Sequence, residues 1–358
     1  MPSYTHLAYR RNAKAAARKQ QIKKPKNLEI LKKAREDFGY FCEFVADKPP
    51  AEHHKTWHRH FITNEDSSCL LKIAGPNVDL LAPRGSAKST VLGLLTAWAI
   101  GVHTQAKQPL QVLYLSYTVD IARSKSATIK RIIESKRYQE VFPKVRLLKN
   151  VTSNEYWSID HKFAGIDTTG EEQFTLCAAG LKGSVTSKRS HLVMIDDAIK
   201  SSADIANPDI RNQMKENWNA VIAPTMFEGA RAICLGTRFR HDDIHATTFN
   251  EQNNWTQIVL SAILNDSKTG DEESYWPEMW SLEYLKEKKR QAPIAFSFQY
   301  MNQIVRQNEL SLAPELIVKA EISTEFDTLG IGVDLSAGIK EKNDYTVMVL
   351  GGRVEDRI

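Results

Sequence analysis

Three short segments carry residue types that do phosphate chemistry when a fold brings them together. The first is Leu81-Ala82-Pro83-Arg84-Gly85-Ser86-Ala87-Lys88-Ser89-Thr90, set between an apolar run and a helical stretch. A phosphate-binding loop needs inward-pointing N–H groups at a helix N-terminus, a lysine for the β and γ phosphates, and a hydroxyl for Mg²⁺. Lys88 and Ser89 fit the last two roles. The strict pattern GxxxxGK[ST] is not met, because Ala82 and Ala87 stand at both glycine positions; Gly85 supplies one flexible position. Alone, the segment also reads as a surface turn with a basic tip. The second segment, Leu192-Val193-Met194-Ile195-Asp196-Asp197, is an apolar strand ending in two carboxylates. In a P-loop ATPase the first acid orients the Mg²⁺ shell and the second polarises the attacking water. Two acids at a sheet end are the plainer alternative. The third, Cys234-Leu235-Gly236-Thr237-Arg238-Phe239, puts Thr237 and Arg238 at a strand end, where they could sense a γ-phosphate.

The elements needed to position these groups are present in the right alternation. Strands are expected at Val78–Ala82, Gln111–Tyr117, His191–Asp197, Ala230–Arg238 and Thr256–Ile263, with helices from Lys88 and over Ile121–Lys136. Asn207-Pro208 opens another helix, with a capping residue and proline at the first helical position. Short apolar runs alternating with helices predict an α/β fold: a central, mostly parallel sheet flanked by helices. Adjacent strand residues face opposite ways, so both acids reach one site only if the chain turns there. Gly330–Leu335 and Tyr345–Leu350 read as a further strand pair.

The 358 residues suggest more than one domain. The expected division is a basic arm over 1–35, a nucleotide-binding domain over 36–265, a helical linker or subdomain over 266–325, and the start of another domain over 326–358. The arm carries eleven Lys and Arg against Glu29 alone, a pattern attracted to phosphate backbones, whereas the net charge of the chain is only +5. A solvated tail is the other reading of that arm. The longest apolar stretch, Val91 to Val102, is too short to cross a bilayer. The four cysteines form no CxxC pair, which argues against a zinc site and for reduced thiols in a cytoplasm.

In this order, and with Glu52-His53-His54-Lys55-Thr56-Trp57-His58-Arg59-His60-Phe61 ahead of them, the segments resemble the large terminase subunits of tailed bacteriophages. The resemblance implies a P-loop NTPase of the ASCE/RecA-like class that hydrolyses ATP with Mg²⁺ and moves double-stranded DNA. Residues 83–90 would be the variant Walker A, with Pro83, Arg84, Gly85, Ser86, Ala87, Lys88, Ser89 and Thr90 on the nucleotide. Lys88, Arg84, Asp196 and Asp197 would be catalytic, and Ser89 and Asp196 the Mg²⁺ ligands. Gly236, Thr237 and Arg238 would form the coupling motif. His54 and Trp57 sit where the family binds adenine, although a buried aromatic helix is an equal reading. Lys182 and Arg189 are candidates for a residue supplied in trans. Asp334 and Asp344 match the opening of a ribonuclease-H-like nuclease, whose later acids the chain lacks; no DNA cleavage is expected. The implied partners are duplex DNA, a portal protein and a small terminase subunit. The implied assembly is a homo-oligomeric ring on the procapsid and a monomer in isolation, in the host cytoplasm and away from membranes. Two other readings are a superfamily-2 helicase or translocase, and a DNA-binding structural protein with a degenerate nucleotide fold.

Overall fold

The computed structural model describes residues 28–61, 76–169, 174–183, 185, 188–252, 254–265, 269–303, 327–334 and 347–353. Most of the basic arm, and Asp344, lie outside them. The described chain begins with three helices, α1 (Leu28–Glu36), α2 (Phe38–Ala46) and α3 (Glu52–Phe61). The basic residues of 28–35 lie on α1, where Ala34 is fully buried and Arg35 Nε donates to Val141 O at 2.8 Å.

The expected strand–helix alternation follows as β1 (Asn77–Leu81), α4 (Lys88–Gln105), β2 (Val112–Ser116) and α5 (Val119–Glu134). Next come α6 (Lys136–Val141), β3 (Leu147–Thr152), β4 (Tyr156–Ile159), α7 (His161–Ala164), β5 (Leu176–Gly180) and β6 (Ser190–Asp196). Then come α8 (Pro208–Asn217), β7 (Met226–Gly236) and β8 (Trp255–Val259). These strands make one eight-stranded sheet in the order β3-β4-β5-β2-β6-β7-β1-β8. The pairs from β5 through β8 are parallel, and β3-β4 and β4-β5 are antiparallel.

Side-chain alternation explains the two apolar layers. Val112, Tyr114, Leu192, Met194, Ile233 and Leu235 face the layer that holds α4. Leu113, Leu115, Val193, Ile195, Ala232 and Cys234 face the opposite layer. Helix α4 lies between the sheet and the N-terminal helices, so it is apolar on nearly every side and has no polar face. Trp98 donates to Ala34 O at 3.2 Å, and Phe41 and Phe142 close the same layer. Arg231 of β7 is 1% exposed; its guanidinium caps the end of α3 by donating to His60 O and Phe61 O, and it also donates to Pro76 O.

The strand expected over Thr256–Ile263 breaks in two. β8 completes the main sheet, and β9 (Ile263–Asn265) pairs with β10 (Glu272–Ser274). With α9 (Leu282–Gln291) and α10 (Pro293–Gln299) they build a small lobe around Ala262, Ile263, Tyr275, Leu285 and Phe296. This lobe, in the stretch expected as linker or subdomain, packs with the main sheet in one unit that runs to Val305. The second unit, described by itself, is an antiparallel pair of β11 (Thr328–Asp334) and β12 (Val347–Arg353). Among the described residues, no helix is long and apolar enough to cross a membrane.

Candidate nucleotide-binding site

The loop from Ala82 to Ala87 joins the C-terminal end of β1 to the N-terminus of α4. Ala82 continues the β1 path, its N–H donating to Gly236 O at 3.1 Å and its side chain buried in the core. Gly85 (φ 83) and Ala87 (φ 63) both take the left-handed region, which turns the chain back into the helix. Ala87 occupies the cap position without a side-chain hydrogen bond, so no cap side chain competes for the first N–H groups of α4, the kind of helix start that can receive an anion. Left-handed alanine costs about 1 kcal/mol relative to glycine. Ala87→Gly is therefore expected to stabilise the fold by about that amount, read as a rise of a few degrees in Tm; a lowered Tm would contradict this account of the loop.

Lys88 is buried beneath the loop. Its Nζ donates to Ala82 O (2.9 Å), Pro83 O (3.2 Å) and Thr237 Oγ1 (3.1 Å), so its three donors are spent on the loop and on the turn that follows β7. Burial pulls its pKa below the ordinary lysine value, opposed by the nearby Asp197 and Asp196 carboxylates. Ser89 Oγ donates to Asp196 Oδ1 at 2.8 Å. The other Asp196 oxygen accepts from Tyr114 Oη at 3.2 Å and faces Lys125 Nζ at 3.5 Å. Asp197 leaves the strand with φ 51, and its N–H donates to Leu235 O. This left-handed step is the turn the two acids require, and both carboxylates line one cleft with Arg84, Lys88 and Thr237. Burial raises the Asp197 pKa above the ordinary carboxylate value, with Lys88 pulling the other way.

The cleft holds about 180 Å³. That is below the roughly 300 Å³ at which pockets for whole drug-sized ligands begin, so it suits a phosphate chain better than a base. The site's polar groups fit a nucleotide with Mg²⁺. Ser86 Oγ is buried in the loop without a hydrogen-bond partner, and the Ser89 hydroxyl with the Asp196 carboxylate is an oxygen donor pair of the kind Mg²⁺ takes.

Other predicted residues fall elsewhere. His54 Nδ1 accepts from Ala51 N–H, so its proton sits on Nε2, which donates to Ser86 O at 2.9 Å. Burial lowers its pKa, in keeping with a neutral ring. Trp57 is 1% exposed, edge-on to His53 and His54. His54 thus braces the loop at Ser86, and neither residue lines the cleft. Thr90 is exposed on α4. Arg238 turns from the cleft to pair with Asp243 at 3.3 Å, and Gly236 presses on the His245 ring, which a Cβ there would meet at 2.7 Å. Lys182 lies over the Tyr117 ring at 4.8 Å, and Tyr117 lines the cleft. Arg189 sits by Phe227 at the N-terminal end of β6, the end remote from the acids. Asp334 closes β11 opposite Val347.

Several contributors have no local sequence signal. Lys125 and Gln299 line the cleft, and Gln299 Oε1 accepts from Arg84 at 3.1 Å while Gln299 O accepts from Arg84 N–H at 2.7 Å. Trp280 lies against Gly85, where an added Cβ would meet its ring at 2.7 Å. The small lobe thus rests on the phosphate loop.

A loop-bearing strand, an acid-bearing strand, and a further strand (β7) between them define a P-loop nucleotide-binding fold of the ASCE/RecA-like class, with its cleft at the C-terminal strand ends. No protein-family model matches the chain. No curated protein matches it either. Solved structures similar to it are phage large terminases. The Thermus phage P74-26 large terminase ATPase domain is 16% identical, with a TM-score of 0.43, covering 74% of this chain and 97% of that one. The HK97 bacteriophage large terminase is 16% identical, with a TM-score of 0.45, covering 92% of this chain. A large terminase from a thermophilic bacteriophage, in complex with ATP-gamma-S, is 9% identical, with a TM-score of 0.41 and 78% of this chain covered. The chain spans 66% of the HK97 protein and 60% of the thermophilic phage's protein.

Proposed function

We propose that this chain is the ATP-hydrolysing motor portion of a DNA-packaging terminase large subunit, moving double-stranded DNA into a procapsid. The observation that carries the ATPase part is the meeting of three distant segments: Ser89 on Asp196 at 2.8 Å, and Lys88 on Thr237 at 3.1 Å. The packaging part is supported by the order of the motifs and by Arg84 in the variant loop.

The triphosphate lies along the loop, held by the N–H groups that open α4. Lys88 leaves the carbonyls of Ala82 and Pro83 for the β and γ phosphates. Thr237 loses its partner in that exchange, which makes β7 report occupancy of the cleft. Arg84 leaves Gln299 and stabilises charge on the transferred phosphoryl group. Asp197 orients the attacking water and takes its proton. Ser89 and Asp196 would hold Mg²⁺, which supplies charge neutralisation across the phosphate oxygens when bound. In a ring on a portal protein, loaded by a small terminase subunit in the host cytoplasm, a neighbour would complete the site. Lys182 and Arg189 are both exposed, and both stand as candidates for the residue that a neighbour supplies.

ATP-dependent displacement of a triplex-forming oligonucleotide from duplex DNA tests this reading. Displacement without strand separation supports a packaging-type translocase, strand separation would favour the helicase alternative, and no displacement despite ATP turnover would overturn the motor assignment.

A further inference from the structure

On the face of α5 away from the cleft lies an open groove of about 820 Å³. Lys130 and Arg131 come from the C-terminal half of α5, and Arg146 and Lys149 from the start of β3; Glu134 is the one acid in the lining. Four cations against one carboxylate make a concave, strongly positive surface. Lys130 Nζ donates to Asn154 Oδ1 at 3.4 Å, Arg131 to Thr128 Oγ1 at 2.9 Å, and Arg146 lies 3.7 Å over the Phe163 ring. Among the described residues no carboxylate pairs with Arg131, Arg146 or Lys149.

The lining also says what such a groove would not take. None of its lining residues is aromatic, and the one ring beside them, Phe163, lies under the Arg146 guanidinium, whereas single-stranded nucleic acid is held mainly by base stacking. It has no pair of acids for a metal and no phosphate loop, so a nucleotide has nothing to orient it. Cations that reach phosphates without base platforms fit the backbone of a duplex, read without regard to sequence.

We infer that this groove is a binding site for the phosphate backbone of double-stranded DNA. The assignment deepens the motor reading and rests on it for the identity of the moved substrate. Its place suits that role. Helix α5 is 16 residues long, about 24 Å at 1.5 Å per residue. Ile121 and Lys125 in its first half line the ATP cleft, and Lys130 and Arg131 in its second half line the groove. One rigid element therefore joins the nucleotide to the grip.

The test is fluorescence anisotropy of a labelled duplex against the full chain, from roughly 50 to 200 mM salt. The wild type is compared with a variant carrying Lys130→Gln, Arg131→Gln, Arg146→Gln and Lys149→Gln. Each lost phosphate contact lowers the slope of log affinity against log salt by about 0.9, so a fall of roughly 3–4 is expected for the four, with affinity at least about tenfold weaker. The N-terminal arm is common to both proteins and cancels in that difference. Arg131→Lys with Arg146→Lys should keep the wild-type slope. An unchanged slope in the fourfold variant, or an equal loss for a single strand of the same length, would overturn the assignment. Thermal unfolding and ATP binding of the fourfold variant should match the wild type, which excludes misfolding. Lys88→Ala tests the motor reading separately: it removes ATP turnover and leaves the duplex slope alone, so either claim fails without the other.

Discussion

Asp197→Asn should bind ATP about as well as the wild type and turn it over roughly 10²–10⁴-fold more slowly, the range for loss of a positioned general base. The backbone step that delivers Asp197 to the cleft is set by φ 51 and by its N–H on Leu235 O, neither of which depends on the carboxylate. Asparagine keeps the shape, tolerates the left-handed region, and removes the charge that would polarise water. The carboxylate is also the one whose pKa burial raises from the ordinary value of 3.8. Its active form is the ionised one, so turnover should fall with decreasing pH along a limb lying above 3.8, and Asp197→Asn should lack that limb. Turnover within about tenfold of the wild type would assign the proton transfer to another group.

The second large effect concerns stability, at a cluster that touches the C-terminal end of β7 through Gly236. Asp79 of β1 is fully buried; it accepts from His245 Nδ1 at 2.8 Å and from Gln257 Nε2 at 2.9 Å. Burial alone would lower the His245 pKa, but Asp79, with its hydrogen bond, and Asp243 carry it above the ordinary 6.5. His245→Ala leaves a buried carboxylate without its main counter-charge and should cost about 3–5 kcal/mol in denaturant unfolding. The pH dependence has a definite sign. Because the folded state holds the proton more tightly, this stabilisation is complete below 6.5 and is lost as pH rises through the raised folded value. His245→Gln should flatten that decline. Gly236→Ala drives a Cβ to 2.7 Å from the same ring and should cost about 1–3 kcal/mol. A His245→Ala variant as stable as the wild type would show that the pair is a bystander.

What could be read from the residues was what lies within one stretch of chain. The loop at 82–90, the acid strand and the Thr237 turn each declare themselves because a strand, a turn and a helix start are local events, and the sheet brings them together as their order implied. The antiparallel edge was not legible. β3 carries Lys149 and Asn150, and β5 is Leu-Cys-Ala-Ala-Gly, compositions with little strand preference that are held in place by pairing with β2 and β4. Nor were Lys125 and Tyr114 on Asp196, or Trp280 and Gln299 on the phosphate loop, because those contacts join residues far apart in sequence. The aromatic segment around Trp57 shows the same limit. Its residue types suit a base and a core equally, and only burial separates the two: Trp57 is enclosed and His54 props Ser86.

The most direct test of the ATPase assignment is Mg²⁺-dependent ATP hydrolysis by the wild type and Lys88→Ala, at protein concentrations that favour assembly. Hydrolysis by the wild type with a loss of about 10²-fold or more in Lys88→Ala is the predicted result, since the lysine's contribution is electrostatic and made in a buried cleft. Equal hydrolysis by the two proteins would place the activity elsewhere and contradict the site described for Lys88, Ser89, Asp196 and Asp197.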